Sequence, residues 1–380
     1  MQPLVRQHLP GPPLSQAREK VRKFATQCGL GIEIHDNVNT LKPFLAEWDE
    51  LAARCPDATF FAGPEWAAAW TQQQSHAGQS VSLIMVRERG RLVALLALTA
   101  HRVGPLRSAT ALSSGASAYS DLLADDASIA CARLSAAVWF AIDQLGVDTV
   151  TFDAVREGSK LEALLAMRRS LRSEAQRAVL VQTGTHSANM IGSTSLRKDL
   201  RRRRRRLAEE KGPICYSVVQ SEHEIAHALA ALLALKLAWL DDKGLHARFL
   251  ARPETHSWLA CVCTRALQAG KLHLSVLSVS GKIVAAQLAF RSGSTLCAYI
   301  GAFDPGYKRY GVGKLHLEDH LSDIAARGLS LDLMPPEDAY KLEWGVPGVR
   351  VRSYVVPLTA RGRALAFLQS PNLRTMIKSL

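Results

Sequence analysis

Two stretches of the chain repeat one order of elements, and this duplication constrains the fold more than any single motif. Residues 81–87 and 92–98 alternate in hydrophobicity like two strands around Glu88-Arg89-Gly90-Arg91, and residues 272–279 and 283–290 do the same around Ser280-Gly281-Lys282. Part of the wording is shared, Gly90-Arg91-Leu92-Val93-Ala94 against Gly281-Lys282-Ile283-Val284-Ala285. After each hairpin come a further strand-like piece, a helical pattern, a glycine and another strand. These are 130–145, Gly146 and 147–154 in the first copy, and 315–327, Gly328 and 329–334 in the second. Helical patterns also precede each hairpin. They lie at 41–53 and 63–74 in the first copy, and in the second they run from the capping box of Ser221 and Glu224 along Ile225, Leu229 and Leu232 to Trp239. Five matching residues alone are weak, but the same order at nearly constant offset predicts two copies of one α/β unit.

The bulk numbers agree with a chain that buries a real core. Its 380 residues suggest about two to three domains, and 48% hydrophobic with 21% charged residues is the balance of a soluble globular protein. The best uninterrupted apolar run, 92–98, is far below the roughly 18 to 20 residues of a membrane span. Prolines stand in residues 1–13 where a secretory signal has its apolar centre, so residues 1–30 read as a disordered leader of a cytoplasmic protein. Residues 31–182 form the first block, and 183–194, with Gly184, Ser187, Asn189, Gly192 and Ser193, have the composition of a linker. Residues 195–370 form the second block, and 371–380 a tail. Trp66 and Trp70, at i and i+4, fit a buried helical stripe better than a ligand platform. Seven scattered cysteines make no disulfide framework. The C-x-C pair Cys261 and Cys263 lies in a helical pattern and points two ways, as core thiols rather than metal ligands.

The net charge of +13 is concentrated, because 193–211 contributes a net +6 through Arg197, Lys198, the run Arg201-Arg202-Arg203-Arg204-Arg205-Arg206 and Lys211. Read as a helix, this tract takes Ser195 as N-cap, Arg205-Glu209 and Arg206-Glu210 as i, i+4 pairs, and Gly212-Pro213 as its stop. It is also an anion-binding surface suited to nucleic acid or lipid headgroups. The missing aromatic platform weighs against base readout.

The chemistry concentrates in residues 299–345. A strand-like run over 295–302 leads through Phe303-Asp304-Pro305 into Lys308-Arg309-Tyr310-Gly311-Val312-Gly313-Lys314 and then a helical pattern. Glycines one residue apart let the backbone approach a ligand, and the first N–H groups of the helix lack internal partners, so the order reads as a pyrophosphate cradle. Asp304 ends the strand as a candidate base or anchor for an acceptor amine, though Asp-Pro also opens turns. A second strand ends near Asp332, and Tyr340-Lys341-Leu342-Glu343-Trp344-Gly345 follows the stiff Pro335-Pro336. Glu337, Asp338 and Glu343 are weaker acid candidates. His316 and His320 have the i, i+4 spacing of a two-histidine metal face, but no H-E-x-x-H order accompanies them.

These residues resemble the GNAT N-acetyltransferase superfamily, and more closely its tandem-domain branch of CelD-type, cellulose-biosynthesis acetyltransferases of bacteria, related to the Fem-type aminoacyl transferases of peptidoglycan assembly. The resemblance runs over 32–368 and is carried by Phe60-Phe61-Ala62-Gly63-Pro64-Glu65-Trp66, Tyr119-Ser120-Asp121-Leu122-Leu123, the basic helix 200–207, Gly301-Ala302-Phe303-Asp304-Pro305 with the glycine turn, and Asp332 through Tyr340-Lys341 to Trp344. It implies two tandem GNAT-like α/β domains, each a mixed, mostly antiparallel sheet flanked by helices. It further implies one acyl-CoA site in the second copy, at Gly301, Ala302, Phe303 and Lys308 through Lys314 (Arg309, Tyr310, Gly311, Val312 and Gly313 between them), since the first copy has no paired glycines. Lys308 stands where the superfamily has arginine or glutamine. Lys341 is the implied partner of the oxyanion or leaving thiolate, with Tyr340 as proton donor and Asp304 or Asp332 as base. The activity implied is acyl transfer, other than aminoacyl, from acetyl-CoA or another acyl-CoA, without a metal, to a polar, in one reading anionic, saccharide or precursor of the cell envelope. Contact with the inner face of the membrane through 197–206 goes with it. Two other readings stay open: a Fem-like transferase using aminoacyl-tRNA, and a non-catalytic protein holding nucleic acid or anionic lipid on the arginines.

Overall fold

The computed structural model describes residues 29–38, 41–74, 80–125, 132–183, 192–245 and 249–368. The expected leader apart from residues 29 and 30, most of the expected linker, and the tail lie outside the described residues. The chain forms two compact units, one of Met1–Ala175 with Val351–Leu380, the other of Gln176–Arg350.

In the first unit β1 (Gly31–Val38) is followed by helices α1 (Leu45–Ala53) and α2 (Pro64–Gln74), then β2 (Ser80–Glu88), β3 (Arg91–Val103), β4 (Leu106–Ala111) and the short β5 (Leu123–Ala124). Helix α3 (Ala132–Gln144) crosses to β6 (Thr149–Arg156), and α4 (Lys160–Leu165) and β7 (Leu171–Arg172) complete this stretch. Strands β1 to β4 pair antiparallel in order, and β4 pairs parallel with β6 through Ser108↔Thr149 to Thr110↔Thr151. The duplication predicted from sequence recurs in the second unit. There β8 (Gln176–Val181) precedes α5 (Thr194–Lys211), β9 (Ile214–Val218), α6 (Glu222–Asp242) and α7 (Pro253–Gln268). The hairpin β10 (Leu272–Val279) and β11 (Lys282–Ser292) follows, with β12 (Thr295–Phe303), α8 (Val312–Ala326), β13 (Ser330–Asp332) and α9 (Ala339–Leu342). Strands β9 to β12 are antiparallel, and β12 pairs parallel with β13. Each unit is thus a mixed, mostly antiparallel sheet flanked by helices, as the resemblance implies.

The units are not the two sequence blocks. β8, which follows the first copy in sequence, pairs antiparallel with β13 of the second unit, Leu331↔Val181 and Asp332↔Leu180. The end of β14 (Val346–Pro357) pairs with β6 and β7 of the first, for example Val355↔Thr151 and Tyr354↔Arg172. The physical reason is edge satisfaction: the strand beyond each parallel crossover needs an antiparallel neighbour, and each unit takes it from the chain that follows the other copy. Thr183, expected in the linker, is 2% exposed and its hydroxyl donates to the Leu329 carbonyl oxygen. Leu30 is 7% exposed and belongs to the first core with Val86, Val138, Phe152 and Tyr354.

Helix α10 (Ala360–Leu368) closes the first unit against β6. Asp148 accepts from the Leu358 N–H at 2.9 Å and from Thr359 Oγ1 at 2.7 Å, so the helix start is pressed against its backbone. A Cβ on Gly362 would stand 2.0 Å from the Asp148 carbonyl oxygen. Gly362→Ala is therefore expected to destabilise this unit by about 1–3 kcal/mol, outweighing the better helix propensity of alanine, and urea unfolding checks it.

In the second unit, His273, Ser275 and Leu277 of β10 face α8, and because β10 is buried along nearly all its length, α6 and α7 cover the alternate side chains on the other face. Helix α6 carries the expected capping box and lays Ile225, Ala228, Leu229, Leu232 and Leu233 into the core. With 21 residues and a window of mean hydropathy 1.3 it is long and apolar enough to cross a membrane by length and composition. That corrects the expectation that nothing in the chain approaches a span: polar His223, His227 and Lys236 interrupt the run, but its leucines and alanines keep the mean high. Trp66, at 0% exposure, is a core residue and donates from its indole nitrogen to Ser113 Oγ at 2.7 Å.

Candidate functional site

The strands β12 and β13 run together for only three pairs, Thr295↔Ser330 to Cys297↔Asp332. β13 ends there, while β12 continues to Phe303, so beyond Cys297 the two part. Across β12 the register shifts between Leu288↔Ile300 and Ala289↔Ala298, which leaves Tyr299 as an extra residue. Such a bulge re-aims the strand at the point where the neighbour departs. Unit 1 treats the same place differently. Residues 112–124 return into it: the Leu112 N–H donates to Ala97 O at 3.0 Å, Ser120 bridges Val155 in parallel, and Leu123 pairs with Leu95. Asp121 holds this segment by accepting from the Thr59 N–H and hydroxyl at 3.0 and 2.7 Å and by pairing with Arg156. The two sequence carriers 60–66 and 119–123 thus meet, Phe61 against Tyr119, and line a small cavity of this unit.

In unit 2 the chain leaving β12 makes a turn of 3₁₀-helix over Pro305–Tyr310 and enters α8 through Gly311, whose φ of +68° is the left-handed conformation that glycine adopts without strain. No side chain caps α8. Its opening N–H groups, at Val312 and Gly313, point out of the helix end with the positive end of its dipole. Gly313 lies flat against Phe303, where a Cβ would come within 2.9 Å of the ring. Gly301 faces Gln287, whose Oε1 would be 2.5 Å from an added Cβ. Of the expected cradle residues, Phe303 and Gly313 are in contact and Gly311 and Val312 begin the helix beside them, while Gly301 and Ala302 lie further back on β12.

The charged members divide. Lys308 is exposed at the turn. Arg309 pairs with Glu210 at 2.8 Å and hydrogen-bonds the Tyr310 hydroxyl, and buried Tyr310 itself donates to Glu210 at 2.6 Å. This donor and the Arg206 guanidinium hold the Glu210 carboxyl down to about 2. Lys314 pairs with Glu343. Asp304 is spent on the turn: Oδ1 accepts from the Gly306 N–H at 2.9 Å and Oδ2 pairs with Lys282 at 2.7 Å.

Sequence reasoning missed what the arginine helix does here. Helix α5 begins two residues earlier than expected, capped by Ser193 Oγ at 3.1 Å from the Leu196 N–H, with Ser195 already inside it. Ser193 has the extended backbone a cap needs, whereas Ser195 follows Thr194 in the first turn. The i, i+4 pairs Arg205-Glu209 and Arg206-Glu210 form as expected, and Gly212 ends the helix at φ +99°. Leu200 and Leu207 are fully buried, which fixes the helix rotation and sends two arginines inward. Arg204 reaches Asp319 at 2.7 Å and Glu318 at 3.2 Å on α8. Arg203 lies over Gly311, with Nη1 3.2 Å from where a Cβ would be. Its Nε donates to Asp199. Arg202 and Arg205, at 80% and 82% exposure, face solvent. The signal was present in the 200/207 leucine spacing, two turns apart on one face.

On the β13 side, Lys341 is 5% exposed, not on a surface loop, and its Nζ donates to the Met334 and Pro336 carbonyl oxygens at 2.7 Å each. Asp332 accepts from the Met334 N–H at 2.7 Å. Burial holds the Lys341 ammonium below the usual lysine range, against the pull of Asp338 and Asp332. Tyr340, next to it, is 49% exposed. A second lysine, absent from the sequence reading, approaches from α6: Lys236 Nζ donates to the Gly301 carbonyl oxygen at 3.3 Å and stands 4.5 Å over the Trp239 ring. His316 and His320 are elsewhere, buried under β10, where both contact Ser275 Oγ at 3.0 Å.

Comparisons with known proteins agree with this architecture. The solved structure of FemX matches with a TM-score of 0.57 at 13% identity, covering 89% of this chain and 99% of that one. A conserved protein of unknown function from Bacteroides thetaiotaomicron matches at 0.52 and 13% identity, covering 83% and 97%. The C-terminal DUF2156 domain of a protein named as a lysylphosphatidylglycerol synthetase, from Agrobacterium fabrum, matches at 0.51 and 16% identity, covering 84% and 95%. At such identities the likeness is one of fold. No curated protein matches the chain. Residues 194–342, from the first turn of the arginine helix to the end of α9, match the family model of the acetyltransferase (GNAT) domain.

Proposed function

We propose that the second unit is an acyl-CoA-dependent N- or O-acyltransferase, with acetyl-CoA as the simplest donor. The single observation that carries this reading is the uncapped start of α8 behind a left-handed Gly311, following β12 where it parts from β13, whereas in the first unit residues 112–124 pair back onto the corresponding strands. Coenzyme A suits these residues. Its pyrophosphate would be held by the Val312 and Gly313 N–H groups, with Arg203 and Lys308 as flanking cations, while the absent Cβ of Gly313 lets the helix start sit against Phe303. The bound thioester would supply an acyl carbon open to an amine or hydroxyl. The chain's own part is to orient that carbon along the free edge of β12 and to offer a proton donor. The buried Lys341 ammonium, held by the Met334 and Pro336 carbonyl oxygens and beside Asp338, is suited to stabilise the oxyanion or the leaving thiolate. Tyr340 is a second donor, and Asp332, which accepts from the Met334 N–H, and Asp304, which is paired with Lys282, are the candidate bases.

The acceptor is read as a polar saccharide or precursor of the bacterial cell envelope, on the cytoplasmic side. The CelD-type resemblance at 60–66, 119–123, 301–305 and 340–344 supports this, and the solvent-facing Arg202 and Arg205 suit contact with an anionic membrane surface. Calorimetry with acetyl-CoA tests the donor half, and absence of binding sinks it. Arg203→Ala is expected to weaken acetyl-CoA about 5–10-fold, the loss of one charge-assisted contact at an open site, with the unfolding midpoint nearly unchanged.

A further inference from the structure

Strand β13 covers the outer edge of β12 only as far as Cys297↔Asp332, and the register on the other side fixes which groups face the gap beyond. The Asp304 N–H donates to the Val284 carbonyl oxygen at 2.8 Å, and the antiparallel pairing continues through Ala285↔Phe303, Ala286↔Ala302 and Gln287↔Gly301. Residues bonded to the partner alternate along such a ladder, so Ala302 and Asp304 turn toward β11 while the N–H and C=O groups of Gly301 and Phe303 point away from it. They face the gap. Lys236 Nζ donates to the Gly301 carbonyl oxygen at 3.3 Å, which sets the head of this side chain at the open edge. Buried Leu232, Leu233 and Leu235 fix the rotation of α6 that brings it there, and the ammonium stands 4.5 Å over the Trp239 ring. Lys282, Lys314 and Lys341 pair with Asp304, Glu343 and Asp338. Lys236 makes no ion pair among the described residues. Burial without a counter-ion holds its ammonium below the usual lysine range, so more of it is neutral amine than of a surface lysine at the same pH. An amine at the strand edge along which a donor's acyl group is oriented is placed as a nucleophile.

We propose that Lys236 is a site of self-acylation, taking the acyl group from the thioester of a bound acyl-CoA. This rests on the reading of the second unit as an acyl-CoA-dependent transferase, and it adds a group of the chain itself to the acceptors. The neutral Nζ attacks the thioester carbonyl carbon, the N–C bond forms as the C–S bond breaks, and the coenzyme A thiolate leaves with the proton that the nitrogen gives up. The products are coenzyme A thiol and an acyl-lysine, with no further reactant. An amide holds its acyl group more firmly than a thioester, so the group stays on the chain, and acylation removes the positive charge that faced the gap.

The test incubates the full chain with acetyl-CoA at mildly alkaline pH and follows the intact mass and the acetylated peptides, with calorimetric titration of acetyl-CoA in parallel. The expected result is one acetyl group per chain, on Lys236, at a rate that saturates with acetyl-CoA. That rate is expected to exceed the rate at exposed Lys211 and Lys243 at least about tenfold, because a bound donor presents a high local concentration to one amine. Lys236→Arg, which keeps the charge without an acylatable amine, is expected to take up no acetyl group on that timescale. A second measurement needs no variant: excess free coenzyme A is expected to suppress the label at Lys236 severalfold and to leave that at Lys211 and Lys243 as it was. Binding of acetyl-CoA without label at Lys236, label that follows exposure along the chain, or label that free coenzyme A does not suppress overturns the site. Absence of acetyl-CoA binding overturns the donor reading and this inference with it, and the parallel titration tells the two failures apart.

Discussion

Gly313→Asp is expected to weaken acetyl-CoA binding at least 100-fold while leaving the chain folded. The new Cβ meets the Phe303 ring at 2.9 Å, so the helix start must shift off the ring, and a carboxylate is added within the first turn of α8, near the N–H groups that would hold the pyrophosphate. Overpacking against the ring costs about 1–3 kcal/mol, and a negative charge at a helix N-terminus returns some tenths of that. Binding suffers far more, because a like charge is set beside the N–H groups that would hold the phosphates, and a 100-fold loss is only about 2.7 kcal/mol. Gly311→Ala is the milder partner. It strains the left-handed backbone by about 1–2 kcal/mol, but its Cβ meets only the movable end of Arg203, so the affinity loss is expected to stay within about tenfold. Calorimetry on both variants measures the difference, and a Gly313→Asp protein that binds acetyl-CoA as the parent does would falsify the cradle.

Acidification from pH 7.5 to 5 is expected to lower the stability of the second unit by about 4 kcal/mol, through two histidines that no donor site uses. His316 and His320 are 5% and 0% exposed and share the Ser275 hydroxyl, which can donate to one ring and accept from the other only while the accepting ring is neutral. Burial pushes His316 down to about 3 and His320 well below the ordinary histidine range, and the neighbouring His273 adds to both. Arg327 works in the same direction on His320, and His320 Nε2 is buried without an acceptor for a second proton. The unfolded chain therefore binds protons more readily than the folded one below about pH 6.5, and each histidine costs about 1.4 kcal/mol per pH unit from there down toward its folded value. Asp323, held low by His273 and Arg327, adds its own loss only at lower pH, in the carboxylate range. Urea unfolding at the two pH values measures the effect. His316→Gln, which can still hydrogen-bond Ser275 but cannot titrate, is expected to remove about half of it, and a pH-independent midpoint in the parent chain rules the account out.

How much of this was legible in the sequence differs by element. The duplicated hairpins, the capping box at Ser221 and the Gly311/Gly313 turn could be read directly because each depends on neighbours within a few residues. Ser195 was taken for the cap of α5 in place of Ser193, since three adjacent hydroxyl residues, Ser193, Thr194 and Ser195, offer the same chemistry and only backbone geometry chooses among them. The division of the chain at residues 183–194 followed composition. It could not show β8 pairing with β13, because strand pairing over long separations leaves no local mark. The His316 and His320 spacing was legible, but their partner Ser275 lies 41 and 45 residues away.

The sequence by itself determined the architecture of each unit and the location of the glycine turn, because hydrophobic period, turn residues and repeat order are local and largely additive. Tertiary structure alone decided which charges surround that turn. It set Arg203 over Gly311 and turned Arg202 and Arg205 to solvent, out of a run of identical residues, because buried Leu200 and Leu207 fix the rotation of α5. It also spent Asp304 on a turn and brought Lys236 to Gly301 across 65 residues. The reason is that a side chain's chemistry depends on what desolvates and neutralises it, and those neighbours are assembled by packing from elements far apart in the chain.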